Sequence, residues 1–138
     1  MQRTECWCGG QENDVYTTID HILIGIKANE VTLAAIGIDT NPVQIADVQD
    51  KGLDARHGDA RSALLKAEDN SLACITAHHL VEHLPFEEVL WIAREAMRVL
   101  APGGLLLFET PNVRNVLVGA TSFHNDPTHL RPMTAPVM

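Results

Sequence analysis

One stretch of the chain, Leu72 to Asn112 (LACITAHHLVEHLPFEEVLWIAREAMRVLAPGGLLLFETPN), constrains the fold more than any other. It begins with an apolar run, Leu72 to Ala77, rich in the residue types that suit a pleated, buried surface. A polar loop with three histidines follows. From Pro85 to about Leu100 the apolar positions Val89, Ile92, Ala93, Ala96, Met97 and Leu100 recur at three-and-four spacing, so a helix packs one face on a sheet. Ala101 to Gly104 stops that helix, and Leu105 to Glu109 reads as a continuous, wholly buried strand. Strand, helix and strand in this order form a β-α-β unit. Its polar loop lies just past the carboxyl end of the first strand, where open parallel sheets take small ligands.

The same alternation extends upstream. Ala35 to Asp39 (AIGID) is a short apolar run closed by a carboxylate, which suits a buried strand, and Val31 to Ala35 can lengthen it. Thr40, Asn41 and Pro42 give a helix start signal, and Gly52 an end signal. Leu53 to His57 reads as a further short strand, Gly58 to Ala60 as a turn, and Ala63 to Leu65 as part of a short helix. Ile19 to Ile26 is apolar enough for another helix. Alternating strands and helices imply parallel pairing with right-handed crossovers. Beyond Pro111 the chain reads as loop, with Pro127, Pro132 and Pro136 discouraging long elements. The 138 residues fit one domain, residues 1–138, large enough to bury a core.

Charge and composition narrow the partners. A net charge of −8 argues against a nucleic-acid backbone, which needs a basic face. No apolar run reaches the roughly 18 residues of a membrane span. MQRTECWCGG lacks the apolar core of a secretory signal, so the cytoplasm is the expected compartment. Cys6, Cys8 and Cys74 are odd in number and fit no disulfide framework, and no second close pair completes a zinc site. No resident metal is expected.

The candidate chemistry sits at strand ends. Asp39 can accept both hydroxyls of a ribose if it points into the ligand crevice; a helix cap or a solvated strand end explains it equally well. Asp59, in His57 to Ala60 (HGDA), can accept from the exocyclic amine of an adenine or simply close an Asp-turn. His78, His79, Glu82 and His83 form the densest polar cluster, and a neutral imidazole there can act as general base on an acceptor hydroxyl. His79 to His83 (HLVEH) also matches the H-x-x-E-H pattern of inverted zinc peptidases, which requires both histidines on one helix and a third ligand downstream. The blandest reading has the histidines capping a helix and packing under a loop. Gly119 to Pro132 (GATSFHNDPTHLRP) places His124, Asp126, His129 and Arg131 among turn residues, as an acceptor-side lid or as a solvated tail.

Taken together, Ala35 to Pro132 resembles the class I S-adenosylmethionine-dependent methyltransferases. AIGID is similar to that family's second-strand motif, HGDA to its adenine-side motif, ITAHHLVEHLP to the fourth strand with its loop, and RVLAPGGLLLFETPN to the helix-turn-strand that closes the core. The resemblance implies a Rossmann-like α/β fold with a parallel sheet, incomplete at both ends, and S-adenosylmethionine as cofactor. It implies that Asp39 holds ribose, that Asp59 and Ala60 meet adenine, and that His78 and His79 line the pocket. His79 and His83 are then the candidate bases. ETPN and NVLVGATSFHNDPTHLRP resemble methyltransferase domains attached to bacterial polysaccharide enzymes, which implies an oxygen acceptor on a glycan or lipid-linked saccharide, met by Asp126, His129 and Arg131.

The chain departs from this family at one place. A Gly-rich loop normally approaches the methionine part of the cofactor, because only glycine lets backbone come so close. It is expected about twenty residues before Asp39, where Tyr16 to Ile22 holds no glycine. The nearest candidate, Cys8-Gly9-Gly10 with Glu12, lies too far upstream. A non-catalytic remnant that serves as an interaction module is therefore the rival reading, and a sheet edge left open by missing strands would favour pairing with a second copy.

Overall fold

The structure, a computed structural model, describes residues 23–29 and 32–134, with side chains from residue 34 onward. Among the described residues five strands form one sheet in the order β3-β2-β1-β4-β5. They are β1 (Leu23–Asn29), β2 (Thr32–Asp39), β3 (Ala55–His57), β4 (Leu72–His78) and β5 (Leu100–Glu109). Helix α1 (Pro42–Asp50) joins β2 to β3, α2 (Ala60–Lys66) leads from β3 toward β4, and α3 (Phe86–Val99) joins β4 to β5. The β-α-β unit read from Leu72 to Asn112 is therefore present.

The start signals at α1 work as expected. The Asn41 side chain accepts from Val43 N at 3.0 Å, and Pro42 opens the helix where its missing N–H costs nothing. Along α3, Val89, Ile92, Ala96 and Val99 are buried; the last three join Leu64 of α2 with Ile75 and Ala77 of β4 in the main core, and Val89 packs with Val81 and Met133 in a second cluster. Met97 lies off that stripe and is 79% exposed, contrary to the sequence reading. Arg98 fastens the two helices: its guanidinium donates to Leu64 O at 2.8 Å, to Ala67 O at 3.0 Å and to Asp69 at 2.6 Å. It thus satisfies carbonyls that the end of α2 leaves without helical partners.

Three further expectations change. First, Ile19 to Ile26 does not read through as a helix: Leu23–Asn29 is a strand, and it runs antiparallel to both β2 and β4. Only two residues separate β1 from β2. A parallel pair needs a crossover of about a dozen residues or more, so a hairpin is the only pairing the chain length permits. Second, β5 is not wholly buried. Leu106 and Phe108 pack on the core, whereas Leu105 and Leu107 are 56% and 42% exposed. Among the described residues, helices cover one face of this strand, and the strand's two-residue period turns every second leucine outward. Third, the Pro-Gly-Gly turn is a bulge inside β5, since Leu72 pairs with Leu100 but Cys74 pairs with Leu105. Gly103 adopts φ +82° there, and a Cβ on Gly104 would meet Ala101 O at 2.9 Å. Glycine is required at both positions.

Candidate functional site

Because β2 and β4 both run opposite to β1, the strands β2, β3, β4 and β5 point the same way, and their carboxyl ends share one edge of the sheet. The edge has two halves. In one, Asp39 closes β2 opposite His57 at the end of β3. Gly58 N donates to Asp39 O at 2.9 Å, and Asn41 N donates to Asp39 Oδ1 at 2.6 Å. Only 2% of Asp39 is exposed, so a carboxylate is held under the surface by strand pairing and a turn. The His57 ring joins Thr40 O at 2.9 Å.

Asp59 sits just beyond β3 as the N-cap of α2. Its Oδ1 accepts from Ser62 N and its Oδ2 from Ser62 Oγ, both at 2.8 Å. Those bonds, led by the Ser62 backbone N–H, outweigh the small cost of burial and hold its carboxyl below the usual aspartate range. Ala60 opens the helix and packs against the main core. Both residues thus have structural tasks at this edge, whatever else they meet.

In the other half, His78 and Glu109 are partners across the β4–β5 pair, with Nδ1 and Oε2 at 3.1 Å. The chain then turns at His79, which takes φ +48°, a left-handed conformation uncommon outside glycine. This turn sends the His79 ring between two carboxylates. Its Nδ1 meets Glu82 Oε1 at 3.2 Å, and its Nε2 lies 3.6 Å from Glu109 Oε1. The bond to Glu82 raises the basicity of His79; burial opposes this, and the charges of Glu82 and Glu109 add to it. Glu82 is completely buried. Burial pushes its carboxyl up, but the bond from His79, its own backbone N–H and the nearby Thr110 hydroxyl together hold it below the usual range. Thr110 acts from outside hydrogen-bond geometry, since both Glu82 Oε2 and Thr110 Oγ1 are buried without a partner inside it.

The segment beyond β5 folds back onto this half. It contains a short π-helical turn (Val118–Ser122) and a single turn of helix, α4 (Phe123–Asn125), where the sequence suggested only loop. Leu130 N donates to Glu82 O at 2.8 Å, which returns the tail to the loop after β4. Thr128 Oγ1 lies 2.8 Å from His83 Nδ1 and donates to Asp126 Oδ1 at 2.6 Å. The Thr128 hydroxyl holds the Asp126 carboxyl low against a smaller cost of burial. The His129 ring lies 4.7 Å from that of His83, and its Nδ1 meets Phe123 O at 2.7 Å. A shallow cleft of about 350 Å³, lined by Val113, Arg114, Gly119 and His124 among others, opens beside this segment.

The structure therefore divides the predicted residues into groups. Asp39 stands with His57; His78 and His79 stand with Glu82 and Glu109; His83 stands with Asp126, Thr128 and His129. Arg131 lies apart, 5.6 Å over the Phe86 ring. The H-x-x-E-H reading fails on geometry. His79 is left-handed, only Val81–His83 forms a short 3-10 turn, and the two histidines serve different neighbours. The cysteine pair Cys6 and Cys8, and the Gly9-Gly10 candidate, lie outside the described residues. Sequence reasoning passed over Glu109, although it closes an apolar strand just as Asp39 does. Thr128 offered no signal, because its partner His83 is 45 residues away.

Residues 23–108 match the family described as Methyltransferase domain. Over 108 residues the chain is 32% identical to a probable S-adenosylmethionine-dependent methyltransferase of Mycolicibacterium smegmatis, covering 77% of this chain and 40% of that protein. Among solved structures, a SAM-dependent methyltransferase from Archaeoglobus fulgidus superposes with a TM-score of 0.67 at 27% identity, covering 73% of this chain and 45% of that one. The YcgJ protein of Bacillus subtilis superposes with a TM-score of 0.56 at 26% identity, covering 73% and 47%. The chain thus spans less than half the length of each of these relatives.

Proposed function

The chain belongs to the methyltransferase-domain family, with its Rossmann-like α/β fold, and from that membership we propose that it binds S-adenosylmethionine and serves methyl transfer to an oxygen acceptor. The observation that carries this reading is Asp39: a buried carboxylate at the carboxyl end of β2, on the edge where four strands end together. A carboxylate in that position accepts two vicinal hydroxyls, as a ribose offers. Asp59 and Ala60 stand one strand further along, with Asp59 receiving the exocyclic amine beside its bonds to Ser62. When bound, the cofactor supplies an electrophilic methyl group on sulfonium sulfur. The protein's share is to align an acceptor oxygen with it and to exclude water.

His78 and His79 border that place from β4. His79 is the better base, because Glu82 orients its ring and raises its basicity. His83 faces the tail instead, and its assignment as a base is correspondingly weaker than that of His79. Asp126, His129 and Arg131 supply the acceptor side, and the tail's likeness to polysaccharide-modifying enzymes makes a saccharide hydroxyl, free or lipid-linked, the acceptor class. Such an acceptor goes with work in the cytoplasm. Among the described residues no helix is long and apolar enough to cross a membrane.

A second reading rests on β1. The glycine loop of the family follows a central strand that ends at the site edge. Here β1 runs the other way, so Leu23 lies at that edge and Asn29 at the opposite one. The methionine cradle is therefore not supplied by the strand in that place, which favours a cofactor-free interaction module, with self-association as one form. Thermal melting with S-adenosylhomocysteine separates the readings, because a ligand that binds only the folded state raises the midpoint. A rise that saturates supports cofactor binding. No rise at millimolar ligand leaves only the interaction module.

A further inference from the structure

One ligand atom each from Glu82, His83 and His129 lie within 4.8 Å of one another. His129 Nδ1 meets a carbonyl, Phe123 O, so this nitrogen must donate, and in the neutral ring Nε2, 3.8 Å from Asp126 Oδ2, keeps its lone pair. The Thr128 hydroxyl gives its hydrogen to Asp126, so at His83 it accepts, and Nδ1 again donates. His83 Nε2 is therefore also an acceptor. Glu82 is completely buried, and its Oε2 has no partner within hydrogen-bond geometry. Two imidazoles and a buried carboxylate thus fall in one cluster, with Glu82 Oε1 held by His79 Nδ1.

A divalent transition-metal ion suits such a set of groups. Histidines that bind metal almost always donate their other ring N–H to a carbonyl or to a carboxylate-linked group, which fixes the tautomer. Here Phe123 O plays that part for His129, and the Thr128–Asp126 pair plays it for His83. Two imidazoles with one carboxylate suit zinc, whose bonds of about 2.0–2.2 Å would draw the three groups slightly closer. We propose that Glu82, His83 and His129 form a zinc-class cation site that fastens the segment after β5 to the loop after β4. The ion joins two parts of the chain already in touch through Leu130 N and Glu82 O. It is not a hydrolase centre, since His79 is no ligand and Glu82 is one. The site stands independently of cofactor binding.

The test is zinc titration of the full chain against a chromogenic chelator, with cobalt absorption as a probe of the ligand atoms. One equivalent should bind, the thermal midpoint should rise, and cobalt should show visible bands without thiolate charge transfer. His129→Ala and Glu82→Gln should each weaken binding about tenfold or more, and Thr128→Val by less, while a Cys6→Ser/Cys8→Ser variant keeps full affinity. Where His129→Ala melts early without metal, His83→Gln reads the same loss of one nitrogen at a second position. Zinc well below one equivalent, unchanged affinity in the His129 and His83 variants, or binding lost only with the cysteines would each overturn the site.

Discussion

The two halves of the sheet edge are built in different ways. Around Asp39, neighbours in sequence do the work: Asn41 N bonds the carboxylate, Asn41 and Pro42 start α1, and Asp59 starts α2 three residues before Ser62. Around His79 and His83 the partners beyond Glu82 come from afar, with Glu109 from β5 beside His79 and Thr128 and His129 from the tail beside His83. The first half is anchored by backbone geometry and offers a preformed carboxylate. The second is a network of side chains whose members depend on one another, so single changes there spread.

That contrast can be broken at several points. The largest effect belongs beneath both halves: Ile92→Ala, in the core shared by α2, α3 and β4, should cost about 2–5 kcal/mol in urea unfolding, and a smaller loss would mean the site collapses on the cavity. Next is Asp39→Asn, which retains shape and one acceptor but removes the charge. It should weaken S-adenosylhomocysteine about tenfold or more by calorimetry, with the unfolding midpoint of the free protein little changed. Equal affinity in the two proteins would move the ribose site elsewhere. His79→Gln should lower the rate of methyl transfer more than that affinity, since its proposed work is that of a base beside the cofactor pocket; a loss confined to affinity would contradict this.

Two smaller effects sharpen the local half. Asp59→Ala removes the cap of α2 and should cost about 1 kcal/mol at neutral pH. The folded carboxyl titrates below its ordinary 3.8, so its contribution is full above that value and is lost as pH falls through the folded value. The gap between variant and parent should therefore close in acid; a gap constant with pH would show that the charge takes no part. Leu105→Ser, on the outward face of β5, should change stability by no more than about 0.5 kcal/mol. A larger cost would restore the fully buried strand that its sequence suggested.

Much of this was legible in the residues. Asn41-Pro42, the 89, 92, 96 and 99 positions of α3, and the strand-ending Asp39 all obey rules that act within a few residues. The direction of β1 was legible in principle, because two residues cannot make a crossover, but apolar content alone could not separate a strand from a helix at Ile19 to Ile26. The exposure of Leu105 and Leu107 was not legible, since four leucine-class residues in a row look alike until one face is covered.

By itself, then, the sequence determined the β-α-β alternation, the family and the carboxylate at the end of β2, since periodicity, capping and strand-end position are local properties. Only the tertiary structure decided that β1 lies between β2 and β4, that His79 and His83 part company, and that His83 meets Thr128 and His129. Those outcomes depend on which distant segments share an edge of the sheet. The side chains that settle it, Glu109 and the tail beyond it, carry no mark of their partners until the chain has closed.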